Sequence, residues 1–345
     1  MDLGQQDGGS PDIILLWGAV AVALSVLWLL PPGKFTVDAL LHKCTLMTYG
    51  TVYLLLSKDT RLQLPADPGK AQGRTLKKKR IVFVRHGESV WNECFNKGFG
   101  PLFPLRLVRG LLGEMAMILL LDSLFIDSPL SVEGRAQARQ LQEYVEGSGD
   151  ELRNHTEQAV FVTSCLRRAV STCLVAFRRP LGESRPVWAL SCLQEISRNV
   201  DTLALAPAGA APQSDPVDGA SCSCVVGTFN SGNKGLLLNG GHRLQEFCEW
   251  VFSDCSPATL APTVIVAGHS LWFRTFFQAY LPHTAYHECK SLKIVNCGVV
   301  TFELEMLEDG GGGATYRIDA DSVQSLYGGF EKKAARRWKP GAKHD

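Results

Sequence analysis

Four short apolar runs dominate the pattern of hydrophobic and polar positions between residues 80 and 270. They lie at 81–84, 159–164, 187–190 and 263–267, and Val is common in all but one of them. Short apolar runs without alternation are typical of strands buried on both faces of a parallel sheet. The segments between them carry apolar residues at helical spacing. The pattern therefore predicts an α/β fold with a mostly parallel central sheet flanked by helices on both faces.

The remaining elements follow from the same pattern. Helices are predicted at 132–145, 167–177, 242–252 and 271–280. A long strand at 294–306 and a shorter one at 315–318, joined through glycines, predict a hairpin at the edge of the sheet.

Polar side chains able to bind or transfer an anion follow the carboxyl end of each predicted strand. In chain order they are Arg85 with His86, Arg168, Glu195, and His269 with Ser270. The carboxyl ends of parallel strands meet at one edge of a sheet, and open α/β sheets bind ligands there. These side chains are therefore expected to meet around one ligand.

Five motifs that contain these residues resemble, in order and spacing, the histidine phosphatase superfamily, also called the phosphoglycerate mutase-like family. They are RHGESVWN (85–92), DSPLSVEGRAQA (127–138), SCLRRAVST (164–172), LQE (193–195) and GHS (268–270). The resemblance covers roughly residues 80–320. It implies phosphoryl transfer through a phosphohistidine, and no metal or other cofactor is expected.

The residue types also fit phosphoryl transfer independently of the resemblance. A phosphoryl group in transfer spreads negative charge over its oxygens, so catalysis depends on positioning and electrostatic stabilisation. Arg85 and Arg168 are predicted to clamp phosphate oxygens, and His269, if protonated, would add a third cation. His86 is the predicted nucleophile. The resemblance assigns the same roles to these four positions.

Further residues complete the predicted site. Glu195 fits a general acid that protonates the leaving oxygen and then activates water. Asn92 and Ser270 are predicted to contact phosphate. Glu88 is left open, since it could simply orient a neighbouring side chain. Arg167 is expected outside the pocket because one helical step rotates it by about 100° from its neighbour.

The predicted reaction is hydrolysis of a phosphomonoester, with a mutase and a binding scaffold as alternatives. The resemblance implies that a phosphoglycerate mutase would continue with a Gly-Trp-x-Asp segment and a Glu-Arg-x-Tyr-Gly string. Here Glu195 is followed by Ile-Ser-Arg-Asn, and the first segment is missing. Hydrolysis is therefore favoured over isomerisation. A membrane scaffold that binds phosphorylated ligands without turnover is the third reading.

The amino terminus carries an uncharged apolar run at 13–30, long enough to cross a hydrocarbon core. The acidic leader 1–12 has no base, which argues against a cleaved signal peptide. A transmembrane anchor at 13–31 is therefore predicted, with a targeting peptide and a buried helix as alternatives. Basic residues follow the run, which predicts a single-pass membrane protein with a cytosolic catalytic domain.

The rest of the chain divides by composition. Residues 32–78 are interpreted as a linker with a second apolar segment at 44–56, either interfacial or re-entrant, and a basic run that could meet anionic headgroups. The catalytic domain is predicted at 79–320. Residues 321–345 are interpreted as a basic, frayed tail.

Two insertions interrupt the predicted domain. Residues 95–126 are unusually apolar and predict one or two helices at about 105–121. They could cap the site, rest on a membrane with Arg106 and Arg109 toward headgroups, or pack against the core. Residues 197–240 are rich in Ala, Pro, Gly and Ser, and most of them are predicted to form a mobile loop.

Composition limits the remaining choices. The 345 residues carry a formal net charge of +1, which gives no sign of a nucleic-acid partner. The 11 cysteines form no regular framework, which favours buried thiols in a reducing compartment. Cys222 and Cys224 near His242 have poor spacing for a metal site. The phosphorylated substrate could be a small molecule, a lipid or a protein, with a slight preference for one at a bilayer surface.

Overall fold

The described strands form one mixed sheet with helices on both faces, which confirms the predicted α/β class. The computed structural model describes residues 37–70, 73–98, 100–117, 120, 122–147, 150–214, 222–308 and 313–331. The strand order is β4-β3-β2-β5-β1-β6-β7, and β8 pairs with the other end of β6. Strands β1 to β5 are parallel to one another, whereas β6 runs antiparallel to β1.

The strands are β1 (Thr75–Arg85), β2 (Ala159–Ser164), β3 (Val187–Leu190), β4 (Val225–Val226), β5 (Thr263–Gly268), β6 (Val299–Glu308), β7 (Ala314–Ile318) and β8 (Gln324–Tyr327). The α-helices are α1 (Val37–Leu56), α2 (Phe103–Ala116), α3 (Val132–Glu146), α4 (Asp150–Glu157), α5 (Arg167–Ala176), α6 (Arg178–Leu181), α7 (Gly240–Phe252) and α8 (Ser270–Tyr280). A π-helical turn spans Asn92–Asn96, and 3-10 turns span Pro68–Lys70, Ser191–Leu193, Val200–Thr202, Cys222–Cys224, Pro257–Leu260, Glu288–Lys290 and Ala320–Ser322.

The central strands are apolar throughout because each face of the sheet supports a separate core. In β1, Ile81 and Phe83 belong to one core, whereas Val82 and Val84 belong to the other. This is the period-2 alternation of a strand, here with both faces buried. Helices α7 and α8 cover the first face, and α3 and α5 cover the second.

Aromatic rings fix the strand that leads into the site. Phe83 stacks on Phe273 with ring centroids 4.1 Å apart, and meets Trp272 and Phe302 edge to face. Offset and edge-on ring pairs of this kind contribute about 1 kcal/mol each beyond their buried area. Helix α8 is therefore packed tightly against β1, which fixes the position of its first turn relative to the end of the strand.

Two predicted boundaries are wrong for identifiable reasons. The predicted strand 294–306 begins only at Val299, because Cys297 has a φ of 57° and the Gly298 N–H donates to Val295 O in a tight turn. The basic run extends β1 instead of ending a linker. There Lys78 pairs with Glu305 of β6 at 2.6 Å, so this charge is already engaged within the sheet.

The interpreted linker packs against the domain wherever it is described. Helix α1 buries Leu46 against Ile126 and Leu203, and Tyr53 is fully buried. The apolar segment 44–56 thus forms part of a helix with one face on the protein. Across the described residues no helix has both the length and the apolarity to cross a bilayer. The predicted anchor at 13–31 lies outside those residues.

The second insertion is not simply a loop where it is described. It supplies β4, and its Asp201, Asn230 and Lys234 side chains are buried. Residues 215–221 lie outside the described part. The interpreted tail also contributes to the fold, since β8 pairs with β6. In the first insertion the structure has helix α2, shorter than the predicted helical stretch.

Candidate active site

The sheet topology places the strand-end residues side by side. Strand β5 lies between β1 and β2, and Arg85 is level with Gly268 in the register. The His86 N–H donates to Gly268 O at 3.0 Å. The two histidine rings, His86 and His269, have centroids 5.0 Å apart.

A close approach of two glycines shapes the loop that carries His86. A Cβ on Gly87 would lie 2.5 Å from Gly134 O, and a Cβ on Gly134 would lie 1.9 Å from Glu88 O. Real Cβ atoms do not tolerate such contacts, so both positions require glycine. The first turn of α3 therefore packs directly on the loop after β1.

His86 is prepared for nucleophilic attack. Its Nδ1 lies 2.6 Å from Gly87 O, and because a carbonyl can only accept, Nδ1 carries the proton. The other ring nitrogen, Nε2, is then the one with a free lone pair. Burial, with Arg168 and Arg85 nearby, lowers the pKa of His86 well below 6.5, so the ring is neutral.

His269 is not the third cation that the sequence suggests for a protonated ring. Burial lowers its pKa well below 6.5, and Arg168 and the His86 ring act in the same direction. Neither of its ring nitrogens has a hydrogen-bond partner among the described residues, although the side chain is fully buried. Buried polar atoms are normally paired, so these nitrogens are suited to an added ligand, but His269 is not among the residues that line the cavity with His86.

The two predicted phosphate-clamping arginines are both buried and both partly engaged. Arg168 Nη1 donates to Asp201 O at 2.7 Å, and Nη2 lies 3.3 Å from the Asp201 carboxylate. Arg85 Nη1 donates to Ile294 O at 2.5 Å and to Glu331 Oε1 at 2.6 Å. The Nε atoms of both guanidinium groups have no partner within the described part of the chain.

Glu195 lies at the amino end of α8. Its Oε1 accepts from Trp272 N at 2.9 Å and from Ile196 N at 3.0 Å, and Oε2 accepts from Leu271 N at 3.3 Å. Burial raises the pKa of this carboxyl above 4.5, although the backbone donors and Arg168 act against it. A buried carboxyl of raised pKa is suited to donate a proton.

The remaining predicted residues divide into two groups. Asn92 and Ser270 line the same cavity as His86. Arg167 does not line it, as predicted, and its guanidinium group donates to Asp127 O, Asp122 Oδ1 and Ser123 O instead. Glu88 also has a role elsewhere, since its carboxylate contacts Ser131 Oγ at the start of α3.

The cavity is small, about 90 Å³, and Arg85, His86, Arg168 and Glu195 all line it. Several polar or aromatic lining residues were missed by the sequence analysis: Trp91, Asn96, Ser197, Asn199, Asp201 and Lys293. Lys293 directly precedes the predicted strand 294–306, and a cation beside a strand is only a weak indication of a binding site. Trp91 lies within the RHGESVWN motif, but no role was predicted for it. Asn96, Ser197, Asn199 and Asp201 lie in the two insertions, where no motif marks them.

Among the described residues, no three His, Cys, Asp or Glu side chains converge as metal ligands would.

Comparisons with known proteins find similar solved structures, but no family model and no curated protein matches. Mycobacterial hydrolase 1 is 14% identical with a TM-score of 0.36, covering 70% of this chain and 97% of its own. Mycobacterial glucosyl-3-phosphoglycerate phosphatase is 17% identical with a TM-score of 0.34, at 70% and 97% coverage. Phosphoglycerate mutase from Bacillus anthracis str. Sterne is 12% identical with a TM-score of 0.35, at 71% and 93% coverage. Likenesses at this level assign no activity and no residue roles to this chain.

Proposed function

We propose that this protein hydrolyses phosphomonoesters through a phosphohistidine formed at His86. One observation carries the proposal. A neutral histidine with a free Nε2, two buried arginines and a buried carboxyl of raised pKa converge on one cavity at the carboxyl edge of a parallel sheet. That set supplies a nucleophile, an anion clamp and a general acid.

In the first step the His86 Nε2 lone pair attacks phosphorus, and the bond between phosphorus and the leaving oxygen breaks. Arg85 and Arg168 stabilise the charge on the equatorial oxygens. Glu195 gives its proton to the leaving oxygen. A phosphate dianion also raises the pKa of the neighbouring His269, which can then donate to it.

In the second step Glu195, now a carboxylate, takes a proton from an attacking water. The new oxygen–phosphorus bond forms, the nitrogen–phosphorus bond breaks, and its electron pair returns to the His86 ring. Inorganic phosphate leaves, and Glu195 is protonated again. The same carboxyl thus acts as acid and then as base.

The test uses the full chain in detergent with phenyl phosphate as substrate. His86→Asn is expected to lower turnover at least about 10⁴-fold, because the covalent route is lost. His242→Asn, at an exposed histidine outside the cavity, is the matched control and should keep full activity. Wild-type turnover should also survive EDTA.

Two other outcomes would refute the phosphatase proposal and favour one of the two alternatives. Interconversion of phosphate isomers that requires a bisphosphate, without phosphate release, would identify a mutase. Retained binding of inorganic phosphate by the wild type with no turnover of any aryl phosphate would identify a binding scaffold.

We also propose that the enzyme works at a membrane surface, with its catalytic domain in the cytosol. Support comes from the apolar run at 13–30 and from helix α2, on which Leu105, Leu112 and Met115 are each more than 60% exposed. Arg106 and Arg109 lie on the same helix, as expected for contact with anionic headgroups.

A photo-crosslinking residue tests this placement in the full chain. p-Benzoylphenylalanine at position 112 should form lipid adducts in vesicles of phosphatidylcholine and phosphatidylserine. The same residue at position 260, which is 92% exposed on the 3-10 turn Pro257–Leu260, should not. Adducts at neither position, or equally at both, would contradict the proposal.

A further inference from the structure

Asp59 is a fully buried carboxylate in the short segment between α1 and β1. Burying a charge is costly unless it is paired and hydrogen-bonded. Asp59 meets that requirement with two cations that are themselves buried, Lys234 and Arg243.

Both carboxylate oxygens of Asp59 are occupied. Oδ1 lies 2.7 Å from Arg243 Nη1, and Oδ2 lies 3.1 Å from Lys234 Nζ. Oδ2 also accepts from the Ser197 backbone N–H at 3.0 Å. Burial opposes ionisation, but the two cations outweigh it and lower the pKa of Asp59, so the group is an anion in the folded protein.

The same two cations hold the backbone that carries Glu195. Lys234 Nζ donates to Glu195 O at 2.7 Å and to Ser197 O at 2.5 Å. Arg243 Nη2 reaches Glu195 O at 3.5 Å. Asp59 thus pairs with two side chains that contact the backbone of residues 195–197, whereas the backbone N–H groups of α8 donate to the Glu195 carboxylate.

Helix α1 sets the position of this group. Tyr49 donates its hydroxyl to Lys234 O at 2.6 Å, and the Tyr53 ring lies 5.0 Å from Lys234 Nζ. The Gly240 N–H donates to Asp59 O at 3.0 Å, which ties the segment to the start of α7. The segment before β1 therefore contributes contacts that position Lys234, in addition to those from Gln194 and Thr202.

We propose that Asp59 is a positioning residue for Glu195, acting through Lys234 and Arg243, so that proton donation to the leaving group requires the segment before β1. The inference rests on the proposed phosphatase activity. A displacement of about 1 Å in a catalytic group can cost on the order of 100-fold in rate, so the buried contacts are sufficient to matter.

Leaving-group dependence separates positioning of the acid from a general loss of structure. Phenyl phosphate needs a proton on its departing oxygen, whereas 2,4-dinitrophenyl phosphate expels a stable anion and needs none. Asp59→Asn in the full chain is expected to lower kcat/KM for phenyl phosphate about 100-fold and for the dinitrophenyl ester less than about threefold. The alkaline limb of the phenyl phosphate pH profile should flatten in the same variant.

Two further variants keep the test decisive. Asp67→Asn removes another carboxylate of the same segment, which accepts from His283 N and Gly69 N, and should change neither substrate. Lys234→Met leaves the Asp59 and Arg243 pair electrically balanced and removes the donors to Glu195 O and Ser197 O. It should reproduce the selective loss on phenyl phosphate, even if Asp59→Asn fails to fold.

The two ways of failing are distinguishable. An inactive wild type would refute the proposed function itself. An active wild type, with equal losses on both substrates in Asp59→Asn and Lys234→Met, would refute the positioning role and leave the phosphatase proposal intact.

Discussion

The residues at the strand ends and the residues that support the site are positioned in different ways. Arg85 is the last residue of β1, and His86 and His269 directly follow β1 and β5, so the sheet sets the backbone positions of all three. Their supporting residues, Asp59, Asp201, Lys234 and Arg243, come from a segment before the sheet, the second insertion and helix α7. The strand-end residues indicate the type of reaction, and the supporting residues orient the side chains and backbone of the site.

This difference indicates which contacts determine the orientation of the side chains in the site. A strand end fixes a backbone position, but the direction of a long side chain depends on what it contacts. Arg168 is held by Asp201, and the Glu195 backbone is held by Lys234. Supporting contacts of this kind commonly decide how well a catalytic group is oriented.

The largest expected effect, after loss of His86 itself, comes from Arg168. Arg168→Lys keeps the charge but loses the paired donors that contact Asp201 and that, in the proposed mechanism, bind phosphate oxygens. We expect kcat/KM for both aryl phosphates to fall about 10³-fold, since the clamp acts whatever the leaving group. A loss confined to phenyl phosphate would place Arg168 with the acid instead of the phosphate.

The next effect concerns Glu195. Glu195→Gln should lower kcat/KM for phenyl phosphate on the order of 10²-fold, with a smaller change for the dinitrophenyl ester.

In the wild type, activity should fall at low pH as His86 is protonated and at high pH as Glu195 loses its proton. Because the pKa of His86 is lowered and that of Glu195 is raised, the optimum should lie on the acid side of neutrality. An alkaline optimum, or an unchanged alkaline limb in the variant, would contradict this role.

Arg167 should affect stability instead of catalysis. Its charge and its backbone N–H stabilise the ionised form of Asp127. Burial raises the pKa of Asp127 to about 6, and Arg167 acts against that rise. A raised carboxyl pKa gives stability that is fully present below 3.8 and is lost as pH rises through about 6. Arg167→Met should lower the free energy of unfolding at pH 7 by about 3 kcal/mol, with less loss at pH 4, as measured by denaturant titration. A fall in kcat/KM comparable to that of Arg168→Lys, without loss of stability, would refute the assignment.

The smallest effect is expected at Glu331. Its carboxylate occupies an Arg85 donor, and its side chain is 46% exposed, so in the proposed mechanism it competes weakly with phosphate for Arg85. Glu331→Gln should lower the KM for phenyl phosphate about two- to threefold, as expected for an exposed pair worth less than about 1 kcal/mol. A higher KM would show that Glu331 supports Arg85 instead of competing for it.

The sequence predicted the sheet core well because burial on both faces leaves an unmistakable signal. The predicted β2 and β3 coincide with the observed strands, and helix α5 was predicted to within one residue of its end. The site residues at strand ends were found for the same reason.

The rest could not be predicted because it depends on long-range contacts between irregular segments. Nothing near Asp59 or Lys234 in the sequence indicates that the two side chains meet 3.1 Å apart inside the protein. The neutral state of His269 also depends on burial, which a strand-end motif does not reveal. The basic run looked like a linker because its glutamate partners lie on β6, far along the chain.

The most direct measurement is the capture of the phosphorylated enzyme. Glu195→Gln mixed with 2,4-dinitrophenyl phosphate should be phosphorylated without the acid, yet should hydrolyse slowly without the base. Acid-labile, alkali-stable phosphate mapped to His86 by mass spectrometry, at about one per chain, is the predicted result. Phosphate on another residue, or steady wild-type hydrolysis with His86 never modified, would contradict the account.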